Sequence, residues 1–245
     1  MDIHLHLICQ FLEIRDVCNV SIAFRYVKFY DFIYPRPKLT SMPYIAIGLV
    51  KKFPKIELII PRINFIKYEE LLYIKNNIIE LDLRGLSDIN KKILVHLKDF
   101  KKLKKLILKF NNNVKDYHIK DIKLESLVLD CNSSITGNGL NPNIRKLYLE
   151  NNKLINDDDL KILCNLEHLN INRNNKITDK VLSYFSKLKY LSAINSKNIT
   201  YEGWKKLKKL KEIHYYGYVE EKSFENLKNI RRYRINSTNT YEILT

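Results

Sequence analysis

The sequence predicts an α/β solenoid, in which short strands and short helices alternate along one continuous core. A hydrophobic motif of the form LxxLxL, with Asn three residues later in its clearest copies, recurs along the 245-residue chain. Successive copies begin 20 to 25 residues apart, and the stretch between them has the apolar spacing of a short helix. A fixed period with one strand and one helix in each unit is typical of stacked repeats.

The strand half of the repeat is its most regular part. Alternating apolar residues predict a strand with one buried face, and a single repeat can bury that face only against its neighbours. The Asn that follows is expected to satisfy backbone groups where the chain turns away from the sheet. The three clearest copies run from Leu124 to Asn132, from Ile144 to Asn152 and from Leu166 to Asn174. Weaker copies begin at Ile78, Leu103, Leu188, Leu210 and Ile230, with a degenerate one near Ile56.

The second half of each repeat predicts a helix on the side opposite the sheet. In one copy Ile177 and Thr178 lead to Leu182 and Phe185, an apolar spacing that suits the inner face of a helix. Thr or Asn stands at the expected N-cap in this and other copies. The only tryptophan, Trp204, occupies an inward position of this pattern and is therefore predicted to lie in the core.

Together, the strand and the Ile-Thr-Asp-x-x-Leu segment resemble the cysteine-containing subclass of leucine-rich repeats, from about residue 56 to about residue 235. Asn replaces the characteristic Cys in most copies. The resemblance implies a leucine-rich-repeat solenoid with a parallel sheet on its concave face and short helices on its convex face. One fold serves many partners, so the resemblance implies binding without naming what is bound.

The first 34 residues have a different pattern, with an apolar helix, a short turn and a second apolar helix. This segment resembles the F-box, which it matches in order and spacing at Ile8, Phe11, Leu12, Asp16, Val17, Val20, Arg25 and Tyr26. The family usually opens with Leu-Pro, and here Met1 takes that place. The resemblance implies docking on the Skp-type adaptor of a cullin ubiquitin ligase through Ile3, Ile8, Phe11, Leu12, Val17 and Val20.

Three prolines mark a boundary after this segment, because proline interrupts helices. They are Pro35, Pro37 and Pro43. The domain order is thus an F-box-like helical module over 1–34, a linker and incomplete first repeat over 35–55, and a leucine-rich-repeat domain over 56–245. The resemblance implies the substrate-recognition subunit of a Skp-cullin-F-box ligase, whose repeats hold an unknown target protein. The alternative is a protein-binding scaffold without a ubiquitin link, in which the N-terminal helices only cap the solenoid.

Charge and composition limit which other classes of function are expected. The formal net charge is +16, but the lysines are spread along the chain, so nucleic-acid binding is kept only as a minor alternative. No apolar run approaches the roughly 20 residues that cross a bilayer, and no membrane partner is expected. The four cysteines lack CxxC spacing and are expected to be buried thiols in a reducing compartment. The predicted location is the cytoplasm, with the nucleus as a second candidate location.

No catalytic constellation is present in the sequence. It contains no Gly-rich phosphate loop, no HExxH and no nucleophile elbow. His4 and His6 would point to different faces of a helix, which argues against a metal site. The chain is therefore predicted not to be an enzyme, with no catalytic residue, metal or cofactor.

A partner is expected to bind the concave face, where alternate strand residues project outward. Tyrosine and arginine are enriched at binding hot spots, so the exposed tyrosines and basic residues are the candidate anchors. The alternative at any one position is an ordinary solvated sheet face. The candidates are Arg84, Lys105, Lys109, Lys146, Tyr148, His168, Tyr190, His214, Tyr216, Arg232 and Arg234.

Overall fold

The computed structural model describes residues 47, 50, 51, 54, 55, 57–60, 66–85, 88–215, 230, 232–235 and 240–242. Its contacts group the chain into two compact units, one of residues 1–82 with 99–103 and one of residues 83–98 with 104–245. The predicted F-box-like module and its six adaptor-binding residues lie outside the described residues. The three domain boundaries therefore stay predictions.

The first unit contains a strand–helix–strand segment. Strands β1 (Leu58–Ile60) and β2 (Ile78–Asp82) pair in parallel. Between them lie helix α1 (Tyr68–Ile74) and a 3-10 turn (Lys75–Asn77). Leu71 and Ile74 of α1 are buried, and the Asn77 amide donates to the Pro54 carbonyl at 2.8 Å. This is the strand-and-helix order that the repeat pattern predicts.

The second unit is a run of short strands hydrogen-bonded in chain order. Strands β3 to β9 are all parallel, and β10 adds to β9 in the antiparallel direction. Their bounds are β3 (Lys105–Ile107), β4 (Ser126–Val128), β5 (Lys146–Tyr148), β6 (His168–Asn170), β7 (Tyr190–Ala193), β8 (Glu212–Tyr215), β9 (Arg232–Ile235) and β10 (Thr240–Glu242).

The helices of this unit are mostly a single turn long. They are α2 (Asp88–Leu94), α3 (Asp116–Ile119), α4 (Asp157–Leu160), α5 (Asp179–Leu182) and α6 (Tyr201–Trp204). Further 3-10 turns are Leu97–Asp99 and Gly137–Gly139. The predicted N-caps are confirmed for Asn156 and Thr178, whose side chains accept backbone N–H bonds at the starts of α4 and α5. Thr200 also stands at the N-cap of α6, but its side chain makes no capping hydrogen bond.

One residue from each strand points inward and forms a continuous buried row. The inward residues of β3 to β8 are fully buried, as the alternation predicts. They are Leu106, Leu127, Leu147, Leu169, Leu191 and Ile213. The register places each of them directly beside the next. Trp204 and Phe185, from the helical side, are also buried, so the predicted core position of Trp204 is confirmed.

Buried asparagines link each repeat to the one before it. Nδ2 of Asn152 donates to the Asn132 carbonyl at 3.0 Å, while Oδ1 of Asn152 accepts from the backbone N–H groups of Leu154 and Ile155. Asn132 and Asn174 make corresponding bonds. The asparagine therefore satisfies the turn of its own repeat and a carbonyl of the preceding one, as the sequence predicts.

Aspartates form a second set of links on the helical side. Oδ1 of Asp157 accepts from the Thr178 N–H at 2.8 Å, and its Oδ2 accepts from the Thr178 hydroxyl at 2.6 Å. Asp116 holds Thr136, and Asp179 holds Thr200, in the same way. Each pair ties the start of one helix or turn to the start of the next.

The chain leaves the sheet through a left-handed corner in successive repeats. The residue that follows the strand segment has positive φ in five non-glycine cases, between 52° and 58°. They are Phe110, Cys131, Asn151, Arg173 and Asn195. Glycine and asparagine suit this conformation, whereas a bulky side chain in it is unfavourable. Phe110, Cys131 and Arg173 thus hold a conformation that their residue types disfavour, and Phe110 is the aromatic one.

The prediction that the cysteines are buried is wrong for the two that the structure describes. Cys131 is half-buried and Cys164 is exposed. Cys131 occupies the left-handed corner, and Cys164 lies in the turn between α4 and β6, so neither takes one of the inward positions. Among the described helices, none is long and apolar enough to cross a membrane.

Candidate functional site on the open face of the sheet

The outward residues of β3 to β8 form two rows on the side of the sheet opposite the buried leucines. We call this surface the sheet face. The strand register aligns the first row as Lys105, Ser126, Lys146, His168, Tyr190 and Glu212. It aligns the second row as Ile107, Val128, Tyr148, Asn170, Ser192 and His214. All but two of these twelve residues are partly or fully exposed.

Four aromatic rings on β5 to β8 stand in contact across the sheet face. The rings of Tyr148 and His168 have centroids 4.8 Å apart, and those of His168 and Tyr190 are stacked at 3.9 Å with their planes 3° apart. Tyr190 meets His214 edge to face at 5.3 Å. We call these four residues the ring column. Because each ring packs against the next, the four side chains are held in position before a partner binds.

His168 lies at the centre of the column in an environment that disfavours its charged form. Burial between the tyrosines lowers the pKa of His168 to about 4, and the positive charge of Lys146 and the neighbouring His214 act in the same direction. Nε2 of His168 is buried and has no hydrogen-bond partner among the described residues. His168 is therefore a neutral stacking ring near pH 7.

The far end of the column is fixed by hydrogen bonds. The Tyr190 hydroxyl lies 3.4 Å from Nδ1 of His214, and Nε2 of His214 lies 3.0 Å from a carboxylate oxygen of Glu212. Burial also raises the pKa of the Tyr148 hydroxyl at the near end, aided by Tyr190 and Asp130. The Tyr148 hydroxyl thus stays neutral at physiological pH, as a hydrogen-bonding phenol.

Acidic groups near the column already face basic groups. Asp130 lies 3.9 Å from the Lys109 ammonium and accepts the Glu150 N–H at 3.0 Å. Burial raises the pKa of Asp130, an effect that the Glu150 hydrogen bond and the Lys109 charge oppose. Glu150 lies 3.9 Å from the Arg173 guanidinium. These pairs leave little unbalanced negative charge on the sheet face.

The structure brings together only part of the predicted set. Lys146, Tyr148, His168, Tyr190 and His214 cluster on β5 to β8. Tyr148 and Tyr190 are half-buried, because both rings pack against His168. Their role as binding residues stays a prediction.

The other candidates lie away from this cluster. Lys105 is on β3, Lys109 follows that strand, and Arg84 lies in the segment bonded beside it. The backbones of Arg232 and Arg234 are on β9, and Tyr216 lies outside the described residues. Ring stacking was missed from the sequence, although aromatic residues at matching positions of adjacent repeats were the available signal.

Other chemistry finds no support in the described part of the chain. No group of three or more His, Cys, Asp or Glu side chains there is arranged to hold a metal ion. The arrangement on the sheet face instead offers contact area, phenol and imidazole hydrogen bonds, and one exposed ammonium group. Such groups are suited to the recognition of a partner.

Comparison with known proteins supports the fold. No protein-family model and no curated protein matches the chain. The crystal structure of internalin C2 from Listeria monocytogenes strain 4b F2365 matches 69% of this chain and 75% of that chain, with 26% identity and a TM-score of 0.50. The TLR13–ssRNA13 complex matches 78% of this chain, with 22% identity and a TM-score of 0.52, but this match covers only 31% of the TLR13 chain. The fold of the chain is that of a leucine-rich-repeat solenoid.

Proposed function

We propose that the protein is a binding scaffold that holds another protein against its sheet face. The ring column supports this proposal most directly, because it places four ordered aromatic side chains on one open surface of the second unit. Rigid aromatic residues lose little conformational freedom on binding and are enriched at interface hot spots. Leucine-rich-repeat folds are in general scaffolds for protein binding, which supports the same assignment.

Site-specific photo-crosslinking in cells tests this function. A photoreactive phenylalanine at Tyr148 samples the end of the ring column, and the same group at Tyr184 samples the helical side, where the native side chain is 48% exposed. We expect discrete protein adducts from position 148 that are lost when His168→Ala and Tyr190→Ala are added. Adducts at position 148 that match those at 184, or that survive the two substitutions, would count against the proposal.

We further propose that the scaffold is the substrate-recognition subunit of a Skp-cullin-F-box type ubiquitin ligase. The support is the N-terminal sequence, in which Ile8, Phe11, Leu12, Val17 and Val20 stand at the spacing of the F-box. In this arrangement the N-terminal helices dock on the adaptor, and the repeats hold the target. Any ubiquitin transfer would then belong to the complex.

A pull-down with the Skp-type adaptor tests the ligase assignment separately. Wild-type chain is expected to retrieve the adaptor, and a Phe11→Asp, Leu12→Asp double variant is expected to lose it, because apolar contacts would be replaced by charges. The double variant should keep the thermal unfolding of the repeats. If the wild-type chain retrieves no adaptor, the ligase assignment fails and the scaffold proposal still stands.

A further inference from the structure

The sheet face carries an exposed cation directly beside the ring column. Lys146 is exposed and is the register partner of His168 on the adjacent strand. It stands two residues before Tyr148 on β5, so both side chains project from the same face. Within the described part of the chain, the Lys146 ammonium makes no ion pair. Its charge already reaches the column, where it contributes to the low pKa of His168.

The acidic groups of the same face are occupied by neighbours. Glu212 contacts His214 at 3.0 Å, Asp130 contacts Lys109 at 3.9 Å and Glu150 contacts Arg173 at 3.9 Å. Glu167, whose pKa is lowered chiefly by its hydrogen bond to Lys189 and to a smaller extent by the charge of Lys146, is paired with Lys189 at 2.6 Å and with Arg145 at 3.6 Å. The ring column is thus bordered at its β5 end by an exposed ammonium group that forms no ion pair of its own on the described surface.

The orientation of the rings indicates which groups a partner can meet. His168 and Tyr190 are register partners, so their stacking direction runs across the strands and their faces are turned toward each other. The edges of these two rings, which carry the positive part of the aromatic quadrupole, therefore border the open side of the sheet, except at the buried Nε2 of His168. Ring edges, the Tyr148 hydroxyl and an ammonium group all attract carboxylates. A nucleic-acid base would need a free ring face, and the stacking of His168 on Tyr190 covers one face of each ring.

We propose that the ring column and Lys146 together form a docking surface for an acidic segment of a partner protein. The proposal rests on the scaffold function and names the chemistry of its partner. A carboxylate of the segment pairs with Lys146, and further acceptors meet the ring edges and the Tyr148 hydroxyl. The net charge of +16 on the whole chain favours the encounter with such a segment.

Selection from a display library of random twelve-residue peptides tests the chemistry without a known partner. The full-length protein is immobilised, and the mean net charge of the recovered peptides is compared with that of the input library. We expect strong enrichment of Asp and Glu. The three most enriched peptides are then synthesised and titrated against the wild-type protein and its variants by fluorescence anisotropy.

Charge reversal isolates the contribution of Lys146. Lys146→Glu is expected to raise the Kd of these peptides at least tenfold. Lys180→Glu makes the same charge change on helix α5, on the other side of the molecule, where Lys180 is exposed, and is expected to change the Kd less than twofold. Equal effects of the two substitutions would overturn the proposal in favour of a general effect of net charge.

A second pair of variants isolates the rings. Tyr190→Ala removes the ring that stacks on His168 and is expected to weaken binding at least tenfold, whereas Tyr190→Phe keeps the ring and should lose less. Circular dichroism and thermal unfolding of both variants confirm that the repeats remain folded. Peptide binding that survives Tyr190→Ala in a folded protein would overturn the assignment of the site.

The outcomes separate this proposal from the scaffold function. Recovered peptides that are neutral or basic, and that lose binding with Tyr190→Ala, overturn the acidic partner and leave the scaffold proposal standing. Peptides that bind without regard to either substitution, or recovery of no peptide, count against both. A twelve-nucleotide oligouridylate that binds more tightly than the acidic peptides and depends on Tyr190 would overturn the acidic peptide in favour of RNA.

Discussion

Phe110 has a backbone conformation that is unfavourable for its residue type. It occupies the left-handed corner at φ 58°, where two other repeats have Asn151 and Asn195. The ring is 54% exposed and lies 5.4 Å from the Lys109 ammonium. Only the partial burial of the Phe110 ring and its contact with the Lys109 ammonium therefore offset the strain in its backbone.

Replacing this residue is expected to stabilise the protein. Phe110→Asn should raise the free energy of unfolding by about 0.5–1 kcal/mol, because asparagine tolerates the left-handed conformation better. The reciprocal change, Asn151→Phe, should lower it by a similar amount. Urea unfolding of both variants provides the measurement. A loss of stability in Phe110→Asn would show that the ring contacts outweigh the backbone strain.

The low pKa of His168 makes the free energy of unfolding decrease as the pH falls. Its pKa is lowered from 6.5 to about 4 in the folded protein, chiefly by burial. Below about pH 6.5 the His168 imidazole is protonated in the unfolded chain, whereas in the folded protein it stays neutral until the pH approaches about 4. The His168 contribution to stability is therefore complete above about pH 6.5 and is lost as the pH falls toward about pH 4.

A His168→Phe variant separates this effect from the carboxylates, because phenylalanine keeps a stacking ring and cannot titrate. We expect the stability of wild type minus that of the variant to decrease as the pH falls from 7 to 4, since only the wild type loses the histidine contribution. Chemical unfolding of both proteins at several pH values measures this difference. A difference that is constant over this range would contradict the burial of a neutral His168.

At the scale of elements, the helical turns are held mainly by contacts between repeats. Helices α4 and α5 have four residues each, which is too short for intrinsic helix stability. Asp157 at the start of α4 accepts two hydrogen bonds from Thr178, the N-cap of α5. One carboxylate therefore fixes the start of the next helix.

Removal of this carboxylate should destabilise the protein by about 2 kcal/mol in Asp157→Ala, because a partly buried N–H and a hydroxyl lose their acceptor. The adjacent Asp158 is the matched control, since it lies in the same helical turn but is exposed and contacts only Lys161. Asp158→Ala should have a much smaller effect. Thermal and urea unfolding of the two variants provide the comparison, and equal losses would show that the helix dipole, not the link to Thr178, carries the stabilisation.

The strands and helices were predictable because their apolar periods differ. Leu127, Leu147 and the apolar residues in equivalent positions mark the inward face of β3 to β8, and Thr178 marks a helix start. The matching positions of His168 and Tyr190 in adjacent repeats indicated that their rings are neighbours, but the stacked geometry depends on side-chain rotamers and was not predictable. The left-handed conformation of Phe110 and the exposure of Cys164 were not predictable either. Apolar periodicity carries no information about the conformation of corners or about exposed turn positions.

At the scale of the whole molecule, the asparagine row couples successive repeats of the second unit. Asn111, Asn132, Asn152 and Asn174 are all buried, and the last three each donate to a carbonyl of the preceding asparagine. Stability in such a stack is approximately a sum of repeat terms and nearest-neighbour terms. Loss of an asparagine in the middle of the row should therefore destabilise the repeats on both sides of it.

Asn152→Ala is expected to lower the free energy of unfolding by about 3 kcal/mol, because it leaves a buried carbonyl and two N–H groups without partners. Amide hydrogen exchange should become faster in β4, β5 and β6, with smaller changes in β3 and β8. Asn143→Ala removes an exposed amide from the turn before β5 and should change stability by less than about 0.5 kcal/mol. Faster exchange confined to residues 150–156 would contradict nearest-neighbour coupling.

The constant register of the strands has a consequence for how this surface can change. Duplication of one repeat adds one residue to each row and lengthens the sheet by about 4.8 Å. Insertion of a repeat without aromatic outward residues between β6 and β7 would place His168 and Tyr190 two strand spacings apart, about 9.6 Å, and break their stack. The same insertion before β5 would leave the stack intact. Repeat number can therefore vary outside β5 to β8 without loss of the ring column, whereas within those strands the number of repeats is itself part of the recognition surface.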